Sequence, residues 1–196
     1  MKRIFDILFS FLLLLILLPL FIGTALSVAC DSRGGMFFGQ IRVGINRKEF
    51  KLWKFRTMKP QAEKQGQLTV GARDSRITKV GYVLRKYKID ELPQLWNVLV
   101  GEMSIVGPRP EVPKYVDIYS DDQLKVLSIK PGITDYASLL YFTENELLAK
   151  SNDPEKTYIE EIMPSKLTLN LHYLEKHDFI IDLKIIRDTI IRIFKA

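Results

Sequence analysis

The chain has 196 residues, 47% of them hydrophobic and 27% charged, so it can form a packed core and is not globally disordered. Its net charge of +6 at pH 7 favours anionic partners, such as phosphorylated substrates, acidic lipid head groups or nucleic acid. The single cysteine, Cys30, excludes an internal disulfide, and His172 and His177 do not have zinc-site spacing.

The N-terminal segment from Ile4 to Cys30 is apolar and carries only one charge, Asp6. It is long enough to cross a bilayer, which takes about 20 apolar residues. Three structures compete: a cleaved signal peptide, a straight transmembrane helix and a re-entrant hairpin. The sequence SVAC at 27–30 resembles part of a lipoprotein cleavage site, but the apolar run is longer than a signal peptide needs.

Pro19 favours the re-entrant hairpin. It lies near the middle of the apolar run, where it removes a helical hydrogen bond and predicts a break in the membrane helix. Lys2 and Arg3 precede the run and further basic residues follow it, so the positive-inside rule places both ends in the cytoplasm. Spanning helices with a proline kink also exist, and the residues alone leave that alternative open.

Two strands are predicted after a turn at residues 31–35. They cover residues 36–44 and 50–58, with a polar turn at 46–48 between them. The second strand interleaves apolar with basic residues, which predicts one basic face. The polar residues 59–76 predict a loop.

Shorter elements are predicted for the rest of the chain. A helix at 77–88 is followed by another that begins near Leu92, with Pro93 in its first turn. Residues 101–113 contain several glycines and prolines and predict a short strand with a rigid loop. A helix at 121–129, capped by Ser120 or Asp121, is followed by a turn at 130–134. Helices are predicted at 143–150 and 153–176, the second with a break at 163–165. The last element is a basic amphipathic helix at 182–194, which packs on the core or lies in a membrane interface.

Asp90 and Glu91 are adjacent carboxylates at the predicted start of a helix. A helix N-terminus stabilises negative charge by about 0.3–1 kcal/mol, which explains one acid as a cap. A second acid adds repulsion that a divalent cation or an arginine relieves. Mg²⁺ suits such a pair, because it binds one or two carboxylates together with substrate phosphates. Capping alone remains the alternative.

Arg109 stands between two prolines in the sequence GPRP at 107–110. The prolines fix the backbone, and a guanidinium held in this way suits bidentate phosphate binding. The alternative is a rigid surface turn in which the arginine has no role. Taken together, the acidic pair, this arginine and the apolar N-terminus indicate phosphate chemistry at a membrane.

The string KIDELPQLWNVLVGEMSIVGPRP at 88–110 closely resembles the signature of the bacterial sugar transferases, the monotopic phosphoglycosyl transferases. The apolar N-terminus with its central proline, WKFRTM at 53–58, KPGIT at 130–134 and IDLKII at 181–186 resemble the family in the same order. The resemblance therefore extends over nearly the whole chain.

The resemblance implies an α+β fold in two parts. Residues 1–30 would form a re-entrant membrane hairpin of helix, break and helix. Residues 31–196 would form a small, mainly helical cytosolic catalytic domain with a short sheet and interfacial amphipathic helices. The expected location is the bacterial inner membrane, in contact with its lipids, with the catalytic domain on the cytoplasmic face.

The resemblance also implies a reaction. Members of this family move a phospho-sugar from a UDP-sugar to a polyprenol phosphate such as undecaprenyl phosphate, the first membrane step in building capsules, O-antigens, exopolysaccharides or glycoprotein glycans. The mechanism is ping-pong. Asp90 would attack the β-phosphate, release UMP and form a covalent phosphosugar intermediate, which the polyprenol phosphate then attacks.

Further roles follow from the same resemblance. Glu91 would be a catalytic ligand of Mg²⁺, and Arg109 would bind a substrate phosphate. Lys54 and Arg85 match basic positions near the family's site. Asp182 resembles an acid that organises that site.

Two departures concern the substrate rather than the reaction. The family's frequent PGITG is PGITD at 131–135, and Asn170 stands where many relatives carry an acid. The sugar, the glycan pathway and the oligomeric state, including a homodimer, are left open. Two other functions compete with the transferase: a non-catalytic membrane scaffold of a glycan-assembly complex, and a nucleic-acid binder, which only the net charge suggests and no binding motif supports.

Overall fold

A computed structural model describes residues 1–62, 66, 68–71 and 74–195, so parts of the predicted loop at 59–76 lie outside the described residues. The helices are α1 (Lys2–Ile16), α2 (Leu18–Asp31), α3 (Lys79–Lys86), α4 (Gln94–Val100), α5 (Pro113–Val116), α6 (Asp121–Leu124), α7 (Tyr136–Leu140), α8 (Glu144–Leu148), α9 (Pro154–Thr157), α10 (Met163–Lys176) and α11 (Phe179–Phe194). The strands are β1 (Phe37–Val43), β2 (Glu49–Phe55), β3 (Ser104–Val106) and β4 (Gly132–Thr134). The predicted α+β class, mainly helical with little sheet, is confirmed.

The apolar N-terminus folds into two helices that meet at an angle. α1 and α2 are bent by 66° relative to each other, and the break falls at Leu17, two residues before Pro19. Pro19 cannot donate a hydrogen bond, and its ring would clash with the carbonyl of Leu15 in a continuous helix. Among the described helices none is long and apolar enough to cross a membrane alone, whereas the bent pair passes on length and composition.

Both ends of this helix pair are attached to the rest of the protein. At the start of α1, the buried Asp6 accepts a hydrogen bond of 2.8 Å from the Ser104 hydroxyl in β3. At the end of α2, Asp31 accepts one of 2.9 Å from the backbone N–H of Val80 in α3. The two ends of the bent helix pair are therefore held by one body.

The strands form two small sheets. β1 and β2 pair antiparallel, with Gln40 opposite Leu52, while β3 and β4 pair in parallel, with Ser104 opposite Gly132. The prediction of a plain turn at 130–134 was therefore wrong. A Cβ atom on Gly132 would overlap the backbone of Gly107, so a glycine is needed for β4 to run this close to the chain after β3.

Several helix boundaries differ from those predicted. α3 ends at Lys86, because Lys88 takes a left-handed conformation with φ 56°. The break expected at 163–165 is wrong: the irregularity is a π-helical turn at Tyr158–Ile162 that leads directly into α10, and the wider turn lies just before Pro164, which has no N–H to donate. α11 begins at Phe179, earlier than 182, because the Asp178 side chain caps it.

One buried cluster holds together the elements that carry the predicted site residues. It contains Phe50, Leu52, Leu95, Val98, Met103, Ile105, Val106, Tyr173 and Ile185. The buried Asn97 of α4 accepts a hydrogen bond from the backbone N–H of Trp53 and donates one to the carbonyl of Lys51, so it fixes β2 against α4. This contact keeps residues that are far apart in sequence side by side.

Candidate active site

Asp90 and Glu91 lie in a single 3₁₀ turn, Ile89–Glu91, between α3 and α4. The left-handed backbone of Lys88 turns the chain into it. α4 starts only at Gln94, directly after Pro93, and neither carboxylate caps it with a side-chain hydrogen bond. The expectation that the pair opens a helix with Pro93 in its first turn is therefore corrected, and helix capping does not account for either acid.

Glu91 is bound by two cations. Arg109 donates from Nη2 to Oε1 at 2.6 Å and from Nη1 to Oε2 at 3.2 Å, and Lys54 donates from Nζ to Oε1 at 3.1 Å. Burial acts to raise the pKa of Glu91, but the charges of Arg109 and Lys54 hold this pKa well below its ordinary value. Glu91 is thus an ionised carboxylate that fixes both cations.

Asp90 is also buried, but no described side chain forms an ion pair with it. It is 5% exposed, and within the described part of the chain its Oδ1 has no hydrogen-bond partner. Burial, followed by the neighbouring charge of Glu91, raises the pKa of Asp90 above its ordinary value. A desolvated carboxylate with an unpaired oxygen is suited to attack an electrophile.

The basic residues around the pair are held in place by the fold. Burial lowers the pKa of the Lys54 ammonium to about 8, although Glu91 opposes this. Glu91 raises the pKa of Arg109, which stays fully charged. Arg85 donates to the hydroxyls of Thr57 at 3.3 Å and Thr69 at 2.8 Å, and its charge acts on Asp90. The structure therefore gathers Lys54, Arg85 and Arg109 around the two acids.

Asp182 belongs to a different cluster. It is buried at the start of α11, accepts a hydrogen bond of 2.5 Å from the Tyr173 hydroxyl and forms an ion pair with Lys2 of α1. Lys2 also donates to the carbonyl of Val106, the last residue of β3. Among the described contacts Asp182 does not touch the carboxylate pair, and its link to the site runs through β3 and the loop that follows.

Two acids near Arg109 were not predicted as site residues from the sequence. Asp135 is fully buried, accepts a hydrogen bond of 3.1 Å from the backbone N–H of Arg109, and caps α7. Glu111 accepts hydrogen bonds from Arg42, at 2.9 Å, and from the hydroxyl of Tyr158. The departure from the family at PGITD pointed to Asp135, and Glu111 directly follows the GPRP sequence.

The carboxylate pair fits the chemistry that Mg²⁺ requires of a protein. In the regions that the structure describes, no group of three or more His, Cys, Asp or Glu residues could hold a metal ion. Mg²⁺ does not need such a cage, because phosphates and waters complete its shell around one or two carboxylates. The carboxylate of Glu91 offers oxygen ligands of the right kind, and it lies next to Asp90, whose Oδ1 has no partner among the described residues.

This fold and site define a transferase of the bacterial sugar transferase family, and the chain belongs to that family. Its residues 1–196 match the family described as "Bacterial sugar transferase". The match covers the bent N-terminal helix pair as well as the body that holds the carboxylates. The family suggested by the 88–110 string is confirmed.

Several curated proteins are similar over nearly the whole chain. EpsL of Bacillus subtilis strain 168, an uncharacterised sugar transferase, is 35% identical over 190 residues, which cover 97% of this chain and 85% of EpsL. The UDP-glucose:undecaprenyl-phosphate glucose-1-phosphate transferase of Klebsiella pneumoniae is 34% identical over 98% of this chain and 40% of its own length. The UDP-N-acetylgalactosamine-undecaprenyl-phosphate N-acetylgalactosaminephosphotransferase of Aeromonas hydrophila is 33% identical over 96% of this chain and 42% of its own length.

These relatives differ in length and in the sugar they are named for. This chain spans less than half of the Klebsiella and Aeromonas proteins. The two are almost equally similar to it, yet one is named for glucose and the other for N-acetylgalactosamine. Overall identity therefore does not point to one sugar.

Proposed function

We propose that this protein transfers a sugar-1-phosphate from a UDP-sugar to undecaprenyl phosphate and releases UMP. The family and the names of the relatives support the reaction class. The observation that carries the proposal is the buried Asp90, whose Oδ1 has no partner among the described residues, next to a Glu91 that fixes Arg109 and Lys54. A nucleophile and the cations that phosphate transfer needs are thus found in one place.

The first transfer starts from the ionised Asp90. A carboxylate oxygen forms a bond to the β-phosphorus of the donor, and the bond from that phosphorus to the bridging oxygen breaks. UMP leaves with the electron pair, and a phosphosugar remains on Asp90 as a mixed anhydride. In the second transfer, a phosphate oxygen of undecaprenyl phosphate attacks the same phosphorus, and the Asp90 carboxylate is released unchanged.

The surrounding charges serve both transfers. Lys54, Arg85 and Arg109 offset the negative charge of the donor diphosphate and keep it in line with Asp90. Glu91 keeps Arg109 and Lys54 in position, since its two oxygens bind them both. When bound, Mg²⁺ would add charge neutralisation at the phosphates, with Glu91 as its protein ligand.

The shape of the bent helix pair supports a re-entrant anchor that enters and leaves the membrane on the side of the candidate active site. Both of its ends are attached to the same body, through Asp6 and Asp31. Large apolar side chains of the pair are exposed: Ile4, Leu8, Phe11, Leu12, Leu15, Ile16, Leu18, Leu20, Ile22 and Leu26. A patch of this kind is suited to burial in a bilayer.

A donor screen tests the reaction. Purified protein is mixed with undecaprenyl phosphate, Mg²⁺ and each of a panel of UDP-sugars, and UMP release is measured. At least one donor should give UMP and a lipid-linked phosphosugar, and Asp90→Asn should abolish both. Asp122→Asn, which changes an exposed aspartate paired with Lys125, is the control and should retain activity. Normal turnover by Asp90→Asn would exclude the covalent mechanism, and silence with every donor would favour the scaffold.

A further inference from the structure

Two cationic side chains from distant parts of the chain meet on the ring of Phe142. Lys88 Nζ lies 4.9 Å from the ring centroid, and the guanidinium carbon of Arg192 lies 5.2 Å from it. Lys88 immediately precedes the turn that carries the carboxylate pair, whereas Arg192 comes from the last turn of α11. The fold thus brings two like charges together beside the candidate active site.

These two charged groups form no salt bridge with a described residue, although the charge of Lys88 acts on the nearby Asp90 and Glu91. Unlike Lys54 and Arg109, which Glu91 binds, the side chains of Lys88 and Arg192 have no ion-pair or hydrogen-bond partner within the described ranges. The aromatic face offsets their repulsion only in part. Their N–H groups are available to an anion with several oxygens, and a phosphate between them would turn the repulsion into two attractions.

The position of Lys88 links this cation pair to the reaction. Its charge acts to lower the pKa values of both Asp90 and Glu91, so it is electrostatically coupled to the carboxylates. The donor diphosphate already has Lys54, Arg85 and Arg109 as counter-charges. A separate pair of free cations next to the nucleophile is suited to the phosphate of the other substrate.

The surroundings of Arg192 indicate a phosphate that carries a lipid. Around it, α11 exposes Ile190, Ile191 and Phe194, the last of them with 86% of its surface accessible. This apolar surface, like that of the α1–α2 pair, suits contact with a bilayer. A substrate whose long apolar tail stays in the membrane would present its phosphate at this level.

We propose that Lys88 and Arg192, aligned on Phe142, bind the phosphate of the lipid-linked acceptor before it attacks the phosphosugar on Asp90. This assignment rests on the proposed transferase reaction and adds to it the residues that receive the second substrate. Lys88 and Arg192 are binding residues here, and Phe142 is a positioning residue.

Steady-state kinetics test the acceptor subsite. Lys88→Gln and Arg192→Gln should each raise the KM for undecaprenyl phosphate about tenfold, because each removes a charge-assisted hydrogen bond to phosphate. Phe142→Leu should raise it less, because both cations remain. Lys184→Gln removes a charge from an exposed position of the same helix and should leave the KM near the wild-type value. An unchanged KM in Arg192→Gln, or an equal rise in Lys184→Gln, would overturn the assignment.

Two further measurements identify the source of the phosphate. UMP release in the absence of acceptor reports donor use alone, and it should fall far less in Arg192→Gln than acceptor use does. An equal fall would assign Arg192 to the donor and overturn the proposal. Native mass spectrometry of the Asp90→Asn protein should show that Arg192→Gln weakens retention of undecaprenyl phosphate but not of undecaprenol. Equal weakening for phosphatidylglycerol would mean a general head-group site and would also contradict it.

The binding measurement separates this proposal from the reaction itself. If the wild-type protein releases no UMP with any donor, the transferase proposal fails. Retention of undecaprenyl phosphate that still depends on Lys88 and Arg192 would then support the phosphate subsite alone. If UMP is released but neither residue affects the acceptor, the reaction stands and the subsite does not.

Discussion

Asp90 and Glu91 are neighbours in sequence with opposite electrostatic environments. Glu91 is paired with Arg109 and Lys54, whereas Asp90 is buried with one oxygen that no described residue binds. The directions of their pKa shifts differ accordingly, downward for Glu91 and upward for Asp90. The sequence alone could not assign these environments, because the partners Lys54 and Arg109 are brought to Glu91 only by the packing of β2 and of the loop after β3.

Asp90→Asn should stabilise the protein at about pH 7 while it abolishes transfer. The folded-state pKa of Asp90 is raised, so its neutral form is favoured in the fold and its ionised form at neutral pH costs stability, about 1.4 kcal/mol for each pH unit of the shift. The gain should shrink as the pH falls through the raised folded pKa, and vanish below the unfolded pKa of about 3.9. Thermal unfolding in detergent at several pH values measures it. A lower melting temperature for Asp90→Asn at neutral pH would contradict the environment described for this carboxylate.

Glu91→Gln should have the opposite effect on stability. It leaves Arg109 and Lys54 largely buried without a counter-charge, which should lower the free energy of unfolding by about 3 kcal/mol. Chemical unfolding of the two variants side by side provides the comparison, with the exposed Asp122→Asn as control. If Glu91→Gln proved as stable as the wild type, these ion pairs would not hold the site together.

Lys54 should set an alkaline limit on activity. Its pKa is lowered to about 8, so above that pH it loses the charge that binds Glu91. We expect kcat/KM for the donor to fall as the pH rises through about 8, and the limit to move upward in Lys54→Arg, because arginine keeps its proton. The free energy of unfolding should change in the other direction. Burying the charged Lys54 costs stability below its lowered pKa, and this cost is relieved as the pH rises and the ammonium loses its proton. A pH profile that is identical in Lys54→Arg would exclude Lys54 as the titrating group.

At the scale of the elements, periodicity predicted the long helices and the β1–β2 strands, and local chemistry predicted the capped turn at Ser120. Short elements that depend on distant partners were not predictable. β4 has three residues and exists because it pairs with β3, and Asp135 becomes a site residue because its side chain reaches the backbone of Arg109. Neither partner is close in sequence, so no local pattern reports the contact.

The α1–α2 pair should enter and leave the membrane on one face. Cys30, the only cysteine in the chain, is exposed at the end of α2 and serves as a natural probe. A second probe, a cysteine inserted directly after the exposed Met1 in a Cys30→Ser background, reports the face on which α1 begins. An impermeant maleimide added to the medium should label both positions in inverted vesicles, whose outer surface is the cytoplasmic face, and neither position in intact spheroplasts. Labelling of the two positions from opposite faces would show a spanning hairpin.

In the whole molecule, an apolar surface, a buried carboxylate pair and a pair of cations lie in one protein body. The bent helix pair and the outer face of α11 expose apolar side chains. Cationic residues surround the carboxylates of Asp90 and Glu91. Lys88 and Arg192, whose side chains form no salt bridge with a described residue, meet on the ring of Phe142 beside this carboxylate pair. An enzyme that joins a water-soluble nucleotide sugar to a lipid phosphate needs these features close together. The net charge of +6 is consistent with phosphate substrates, although composition alone could not separate them from lipid head groups or nucleic acid.

A covalent phosphosugar on Asp90 distinguishes the proposed mechanism from direct transfer, and mass spectrometry of the digested protein can detect it. Protein is mixed with Mg²⁺ and the UDP-sugar that supports UMP release, without acceptor, and is then quenched and digested. We expect the peptide that contains Asp90 to gain the mass of one phosphosugar and to lose it when undecaprenyl phosphate is added. The same peptide of Asp90→Asn should show no gain. Full turnover without any covalent adduct, or an adduct on another residue, would contradict it.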